Sequence, residues 1–215
     1  MLFYSPWLSL EPYPEVPLPR FLEPSADRFH DKPAFISAEG EIHTFGRTWE
    51  AAKRLGRLLQ DQGVQRGDRV AILSANSPEY FVAFYGILFA GGTVTTLNPL
   101  YKEREVVHQL EDCGAVGIFA IKPLMPMVEA AREHLPQLRL AFAIEDIWAL
   151  SAEAPAEPHP VAIDPRRDLA ALPYSSGTTG LPKGVMLSHY NLTSNVRQLG
   201  SVGLISSYSV LLDFL

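Results

Sequence analysis

Cysteine is almost absent from this sequence. Cys113 is the only one among 215 residues, so the chain has no internal disulfide and no multi-cysteine metal site. We interpret Cys113 as a small buried apolar side chain in a reducing compartment. Six histidines are present, but no pair has a metal-binding spacing with cysteine or carboxylate partners, so we predict no metal site in the chain.

Long apolar runs and long basic runs are also missing. No stretch reaches the roughly 18 apolar residues that indicate a membrane-spanning helix, so no transmembrane segment is predicted. Residues 1–7 lack the basic start and apolar run of a signal peptide. The formal net charge of −6 disfavours a nucleic-acid partner bound through phosphate neutralisation. With 47% hydrophobic residues, the composition predicts a soluble, cytoplasmic protein with a sizeable core.

Proline is concentrated in the first segment of the chain. Five prolines lie between positions 6 and 19, and each of them fixes φ and removes a backbone hydrogen-bond donor. The sequence therefore predicts an extended arm over residues 1–30, with apolar side chains that lie across a larger body.

Strand and helix patterns alternate over residues 31–150. Short apolar or β-branched runs, such as 70–73 and 93–97, are separated by segments whose apolar residues recur at helical spacing. This alternation predicts an α/β fold, in which a mostly parallel sheet is flanked by helices, at least over residues 34–144. The proline-rich segment 151–168 is a predicted linker.

The most informative segment is a polar loop that follows this linker. It contains four hydroxyl groups, three glycines and one lysine between two apolar runs, an arrangement that predicts a loop between two strands. Glycine lets the backbone approach a ligand closely, and successive backbone amides form an anion-binding nest. Together with the lysine ammonium group, these donors are suited to a polyphosphate. The loop reads Ser175, Ser176, Gly177, Thr178, Thr179, Gly180, Leu181, Pro182, Lys183, Gly184.

Two other interpretations of this loop fit the sequence less well. It is not a Walker A loop, because Pro182 precedes Lys183 and Gly184 follows it, where that motif needs glycine and then serine or threonine. A polar surface turn is the usual explanation for a short Gly/Ser/Thr-rich stretch. Ten specific residues between two apolar strands argue against that explanation.

The segment 174–185 resembles the signature phosphate loop of the adenylate-forming superfamily. That superfamily includes acyl-CoA synthetases, 4-coumarate–CoA ligases, firefly-type luciferases and the adenylation domains of peptide synthetases. Segments 67–72, 75–80 and 91–99 also resemble its N-terminal part, so the resemblance covers nearly the whole chain. Residues 98–101 are similar to the acyl-CoA and coumarate ligase branch.

The resemblance implies an ATP-dependent acid–thiol ligase of the acyl-CoA synthetase type, as used in fatty acid metabolism. In such enzymes a carboxylate attacks the α-phosphorus of Mg-ATP, and the thiol of CoA then takes the acyl group from acyl-AMP. ATP, Mg²⁺ and CoA are the implied cofactors, and a small carboxylic acid is the implied substrate. The implied cofactor-binding residues are Ser175, Ser176, Gly177, Thr178, Thr179, Gly180 and Lys183.

Members of the superfamily continue well beyond residue 215. The resemblance therefore implies that residues 1–215 are an incomplete N-terminal adenylation domain, in which 169–215 hold the phosphate loop and a following helix and strand. We expect no catalytic residue within these limits, no activity of this chain alone, and self-association through the apolar segment 209–215. Two alternatives stay open: a peptide-synthetase adenylation domain with a carrier-protein thiol as acceptor, and a non-catalytic nucleotide- or partner-binding module.

Two further residues have structural and functional interpretations. His189 follows the loop closely and is a candidate to approach the site, but a structural role at a helix start beside Ser188 is simpler. Trp49 lies on the apolar face of a predicted helix, and we expect it in the core.

Overall fold

The computed structural model describes residues 10–37, 40–175, 182–202, 209 and 211. Helices and strands alternate along most of this part of the chain. The helices are α1 Leu18–Arg28, α2 Phe45–Asp61, α3 Pro78–Phe89, α4 Glu103–Cys113, α5 Met125–Arg132, α6 Ile147–Glu153 and α7 His189–Ser201. The strands are β1 Pro33–Ile36, β2 Ile42–Thr44, β3 Arg69–Leu73, β4 Thr93–Leu97, β5 Ala115–Ala120, β6 Leu140–Ala143, β7 Leu169–Ala171, β8 Tyr174–Ser175, β9 Lys183–Gly184 and β10 Leu187–Ser188.

A six-stranded sheet forms the centre of the structure, in the order β10-β7-β4-β3-β5-β6. Neighbouring strands from β7 to β6 pair in parallel, and β10 pairs antiparallel with β7 at one edge. The strands β1 and β2 form a separate antiparallel hairpin. The predicted α/β fold with a mostly parallel sheet is therefore confirmed.

Both faces of this sheet are covered, and the side chains of its inner strands point alternately into two cores. Val70 and Ile72 of β3 face a core shared with α2, α3 and α6. Ala71 and Leu73 of the same strand face a second core shared with α4 and α5. A strand that is buried on both faces is an apolar run without alternation, as segment 70–73 is.

The structure differs from one prediction at helix α1. The extended arm expected over residues 1–30 is wrong for Leu18–Arg28, which is helical. Pro17 is the N-cap residue and Pro19 lies in the first turn, where a missing N–H breaks no hydrogen bond. One side of the helix, including Ala26, is buried. The proline count alone therefore gave the wrong conformation, since the position of each proline decides its effect.

The predicted linker 151–168 begins slightly later than expected, because α6 continues to Glu153. The rest of the segment, residues 154–168, is here called the strap and runs across α2. The side chain of Gln60 donates to the carbonyl of His159 at 3.0 Å and accepts its N–H at 2.7 Å. These two hydrogen bonds, one in each direction, hold the strap against α2.

Two single-residue predictions also agree with the structure. Trp49 is buried, with its ring centroid 5.1 Å from that of Tyr85. Cys113 is buried as a free thiol, and burial raises its pKa to about 11. Among the helices of the described ranges, none has the length and apolarity needed to cross a membrane.

Helices α2 and α3 pack in close contact through a glycine. A Cβ atom added at Gly56 would lie 2.5 Å from the Cβ of Phe89 and 3.0 Å from the carbonyl oxygen of Gly86. Both distances are shorter than ordinary van der Waals contact, and neither atom belongs to the flexible end of a side chain. The spacing of the two helices therefore depends on the absence of a side chain at position 56.

Gly56→Ala is expected to lower the free energy of unfolding by about 1–3 kcal/mol, because the added methyl group forces the two helices apart. Gly200→Ala in α7 is the matched control, since among the described residues no heavy atom outside the helix's own backbone lies within 4 Å of its Cβ position. There alanine is expected to stabilise by up to about 1 kcal/mol through helix propensity. Urea unfolding followed by circular dichroism measures both variants. A gain of stability in both would show that the α2–α3 contact has room for a methyl group.

Candidate functional site

The polar loop is rooted in a short pair of antiparallel strands. Ser175 of β8 lies opposite Lys183 of β9, and Tyr174 lies opposite Gly184. We call these four residues the loop root. The prediction of a loop between two strands is confirmed, but the second strand begins at Lys183, ahead of the apolar run expected to form it. Backbone pairing, more than hydrophobicity, sets that boundary.

The loop root brings together two of the predicted site residues. Ser175 and Lys183 are both exposed to solvent, so a hydroxyl and an ammonium group stand at the two ends of the loop. Lys183 is in no ion pair with any of the residues that the structure describes. The other predicted site residues lie outside the described residues, namely Ser176, Gly177, Thr178, Thr179 and Gly180.

The segment that enters the loop is fixed to the parallel sheet. The N–H of Leu172 donates to the carbonyl of Val94 at 2.7 Å, and the Thr95 hydroxyl donates to the carbonyl of Leu172 at 2.9 Å. The Gln109 side chain on α4 donates in turn to the Thr95 oxygen at 3.0 Å. Gln109 and Thr95 are both buried, so this chain of hydrogen bonds is shielded from water.

The strand that leaves the loop is held mainly against the segment that enters it. The N–H of Val185 donates to the carbonyl of Pro173 at 2.7 Å. A Cβ atom at Gly184 would lie 3.0 Å from Leu172 and 3.3 Å from the ring of Tyr174. Glycine therefore permits the close approach of the two strands at the loop root.

The hydroxyl of Tyr174 donates a hydrogen bond to the carboxylate of Asp112 on α4, which lies 62 residues away in sequence. Burial and the neighbouring Asp112 carboxylate raise the pKa of Tyr174, so its hydroxyl stays protonated and remains a donor at neutral pH. Sequence reasoning missed Asp112. An acidic residue on a helix is by default a solvated surface residue, and no local motif distinguishes this one.

An ion pair fixes the chain just before β7. Arg66 donates two hydrogen bonds to the carboxylate of Asp168, at 2.9 and 3.0 Å. Burial alone would raise the pKa of Asp168, but the Arg66 guanidinium and the N–H of Asp164 together hold it below its usual value. The carboxylate is therefore ionised at neutral pH, and β7 begins at a fixed point.

His189 has a structural role at the start of α7. Its ring is buried, and Nδ1 accepts the backbone N–H of Leu18 at 3.1 Å, which ties α7 to α1. Ser188 caps α7 by accepting the N–H of Asn191. Burial lowers the pKa of His189 to about 4 despite the nearby Asp168 charge, so the ring is neutral at pH 7.

Two further features concern metal binding and the segment 209–215. Across the described ranges, no group of three or more His, Cys, Asp or Glu side chains is arranged to hold a metal ion. Of the segment 209–215, expected to form an apolar strand, the structure describes Ser209 and Leu211, and Leu211 is largely exposed. Self-association through that segment stays a prediction.

Most of this chain is similar in sequence to known proteins. A family model described as "AMP-binding enzyme" matches residues 22–212. A long-chain-fatty-acid–CoA ligase of Bacillus subtilis is 34% identical over 231 residues, which cover 89% of this chain and 41% of that protein. The 4-coumarate–CoA ligase 1 of Petroselinum crispum is 35% identical over 188 residues, covering 85% and 35%.

The fold comparison agrees with the sequence comparison. The crystal structure of a long-chain-fatty-acid-CoA ligase from Archaeoglobus fulgidus matches with a TM-score of 0.85 and 28% identity. The match covers 96% of this chain and 43% of that one. The chain therefore spans roughly two fifths of the length of these relatives.

Stability should fall on acidification because of His189. The unfolded imidazole has a pKa near 6.5 and the folded one near 4, so the unfolded state binds the proton first. The contribution is complete above pH 6.5 and is lost as the pH falls towards 4, on the order of 3 kcal/mol. Urea unfolding between pH 7.5 and 4.5 measures this slope.

His189→Gln is expected to flatten that slope, because its amide oxygen can still accept the Leu18 N–H but does not titrate. His134→Gln, the same substitution at an exposed position, is the control. An unaltered slope in His189→Gln would contradict the assignment.

Proposed function

The chain belongs to the AMP-binding enzyme family, and from that membership we propose that it is part of an ATP-dependent acyl-CoA ligase. Such an enzyme joins a carboxylic acid to the AMP portion of ATP with release of pyrophosphate, and then transfers the acyl group from acyl-AMP to the thiol of CoA with release of AMP. The first step replaces a poor leaving group, the carboxylate oxygen, with a good one. The proposed task of this chain is to hold the phosphates of ATP.

The observation that carries the proposal is the loop root. Pairing of β8 with β9 sets the exposed Ser175 hydroxyl and the exposed Lys183 ammonium group at the two ends of a loop rich in hydroxyls and glycines. A polyphosphate needs several hydrogen-bond donors and positive charge at short range, and charged donors form the stronger bonds. The residues present fit that requirement.

The proposed mechanism of the loop is electrostatic. Negative charge grows on the pyrophosphate as its bond to the α-phosphorus breaks, and donors that already point at those oxygens stabilise this charge without reorganising. Lys183 and Ser175 are proposed to supply a cation and a hydroxyl, and the loop residues outside the described ranges to add further hydroxyl and amide donors. Mg²⁺, when bound through the phosphate oxygens, would neutralise part of the remaining charge.

The names of the relatives support CoA as the acyl acceptor. The two enzymes compared by sequence are named as CoA ligases, one for long-chain fatty acids and one for 4-coumarate. We therefore propose CoA over a carrier-protein thiol, and a carboxylic acid from one of these two chemical classes. The acid-binding residues are proposed to lie in the part of the relatives' length that this chain does not span.

Lys183→Ala, made in a complete enzyme that contains these residues, is expected to impair the use of ATP more than the use of acid. Loss of one charge-assisted contact with phosphate should cost about 1.5–3 kcal/mol, or roughly 10- to 150-fold in kcat/KM for ATP. Steady-state kinetics with ATP and acid varied separately measures this. Lys102→Ala, another exposed lysine, is the control. ATP kinetics unchanged by Lys183→Ala would remove Lys183 from the site.

Exchange of labelled pyrophosphate into ATP tests the function itself. A complete enzyme is expected to catalyse exchange only in the presence of acid, with fatty acids and hydroxycinnamic acids as the panel. The 215 residues alone are expected to show none, because catalysis needs base, ribose, phosphates and metal positioned together. No acid-dependent exchange by the complete enzyme would contradict the ligase proposal. Exchange by the isolated chain would place the catalytic residues within it.

A further inference from the structure

We propose that Asp112 is a positioning residue for the phosphate loop, acting through the hydroxyl of Tyr174. Tyr174 directly precedes Ser175 in β8, and its hydroxyl donates to the Asp112 carboxylate. The inference rests on the proposed function, since it concerns how the same loop is held. It adds a residue on α4 that no loop motif contains.

The first step of the argument is the weakness of the loop root by itself. Strands β8 and β9 contain two residues each. An isolated antiparallel pair of that length is not stable in water. The position of Ser175 and Lys183 therefore depends on bonds that tie the root to the rest of the fold.

The second step is the arrangement of these ties on α4. Gln109 and Asp112 are three residues apart and so lie on the same face of the helix. Gln109 reaches Leu172 through the Thr95 hydroxyl, with both hydrogen bonds near 3 Å. Asp112 reaches Tyr174, two residues further along. One helix face therefore holds the segment that enters the loop at two successive points, and Asp112 provides the last side-chain tie before Ser175.

The third step is the sign of the charge. Asp112 is negative and exposed, so its direct electrostatic effect on bound phosphates is repulsive. Removing the carboxylate should strengthen phosphate binding if charge alone mattered. It should weaken binding if the carboxylate acts by holding Tyr174, because ordering the loop root on binding then costs part of the binding free energy. The two roles therefore predict opposite changes.

The test compares Asp112→Ala, Tyr174→Phe and the double variant in a complete enzyme that contains these residues. Each single variant is expected to raise the KM for ATP about 3- to 10-fold, the effect of one hydrogen bond, with the KM for acid unchanged. The double variant should be no worse than the more affected single variant, because both remove the same bond. Asp112→Asn keeps an acceptor oxygen and should recover most of the affinity.

The matched control is Glu111→Ala. It removes the same charge from the neighbouring exposed position and should leave the KM for ATP unchanged or slightly lower. A second readout needs no nucleotide: trypsin should cleave after Lys183 faster in Asp112→Ala and Tyr174→Phe than in the wild type or in Glu111→Ala, because the loop root opens more often.

The outcomes separate the two proposals. If the wild-type enzyme shows no acid-dependent pyrophosphate exchange, the proposed function fails and this inference fails with it. If the wild type is active, an unchanged or lowered KM for ATP in Asp112→Ala overturns the positioning role alone. Additive effects of Asp112→Ala and Tyr174→Phe would overturn it too, since the two side chains would then act independently.

Discussion

The hydrogen bonds that hold β7 beside β4 are the constraint on which the candidate site depends. The strand ladder between them is short, with one residue pair in register, and two buried threonine hydroxyls extend it. Thr93 donates to the carbonyl of Leu169 and Thr95 to that of Leu172, each at 2.9 Å. A threonine-rich strand in a buried sheet thus uses its hydroxyls to fix the strand that leads to the loop, and a buried bond left unmade is costly.

The two ends of the loop are fixed unequally. The segment that enters it is tied to β4 through Leu172 and to α4 through Tyr174. The segment that leaves it is tied to the entering one, through Val185, the close contact at Gly184 and the pairing of β10 with β7. Ser175 therefore takes its position from the rigid sheet, whereas Lys183 takes its position from Ser175. A long, flexible lysine side chain tolerates that indirect placement better than a short serine hydroxyl does.

The pattern of apolar residues predicted the parallel sheet and its helices, because a short continuous apolar run such as segment 70–73 is typical of a strand that is buried on both faces. Helix α1 was missed because prolines were counted without regard to their place in the first turn. The loop was found from its residue types alone, but its root was not, since the register of Ser175 against Lys183 is a pairing property. The contact of Tyr174 with Asp112 depends on how α4 packs, and a single sequence carries no signal for that.

The strap has a consequence for the order of folding. Strand β6 lies at one edge of the sheet and β7 near the other, so the strap must carry the chain back from one side of the sheet to the other, past α2. Strands β3 to β6 form from successive strand–helix–strand units of low contact order, whereas the bond between Thr95 and Leu172 closes a separation of 77 residues. By that reasoning β7 docks last, onto strands that are already paired. Its amides would then become protected from hydrogen exchange later than those of β3 to β6. A chain emerging from the ribosome would then pair the four strands β3 to β6 before it acquired the root of its polar loop.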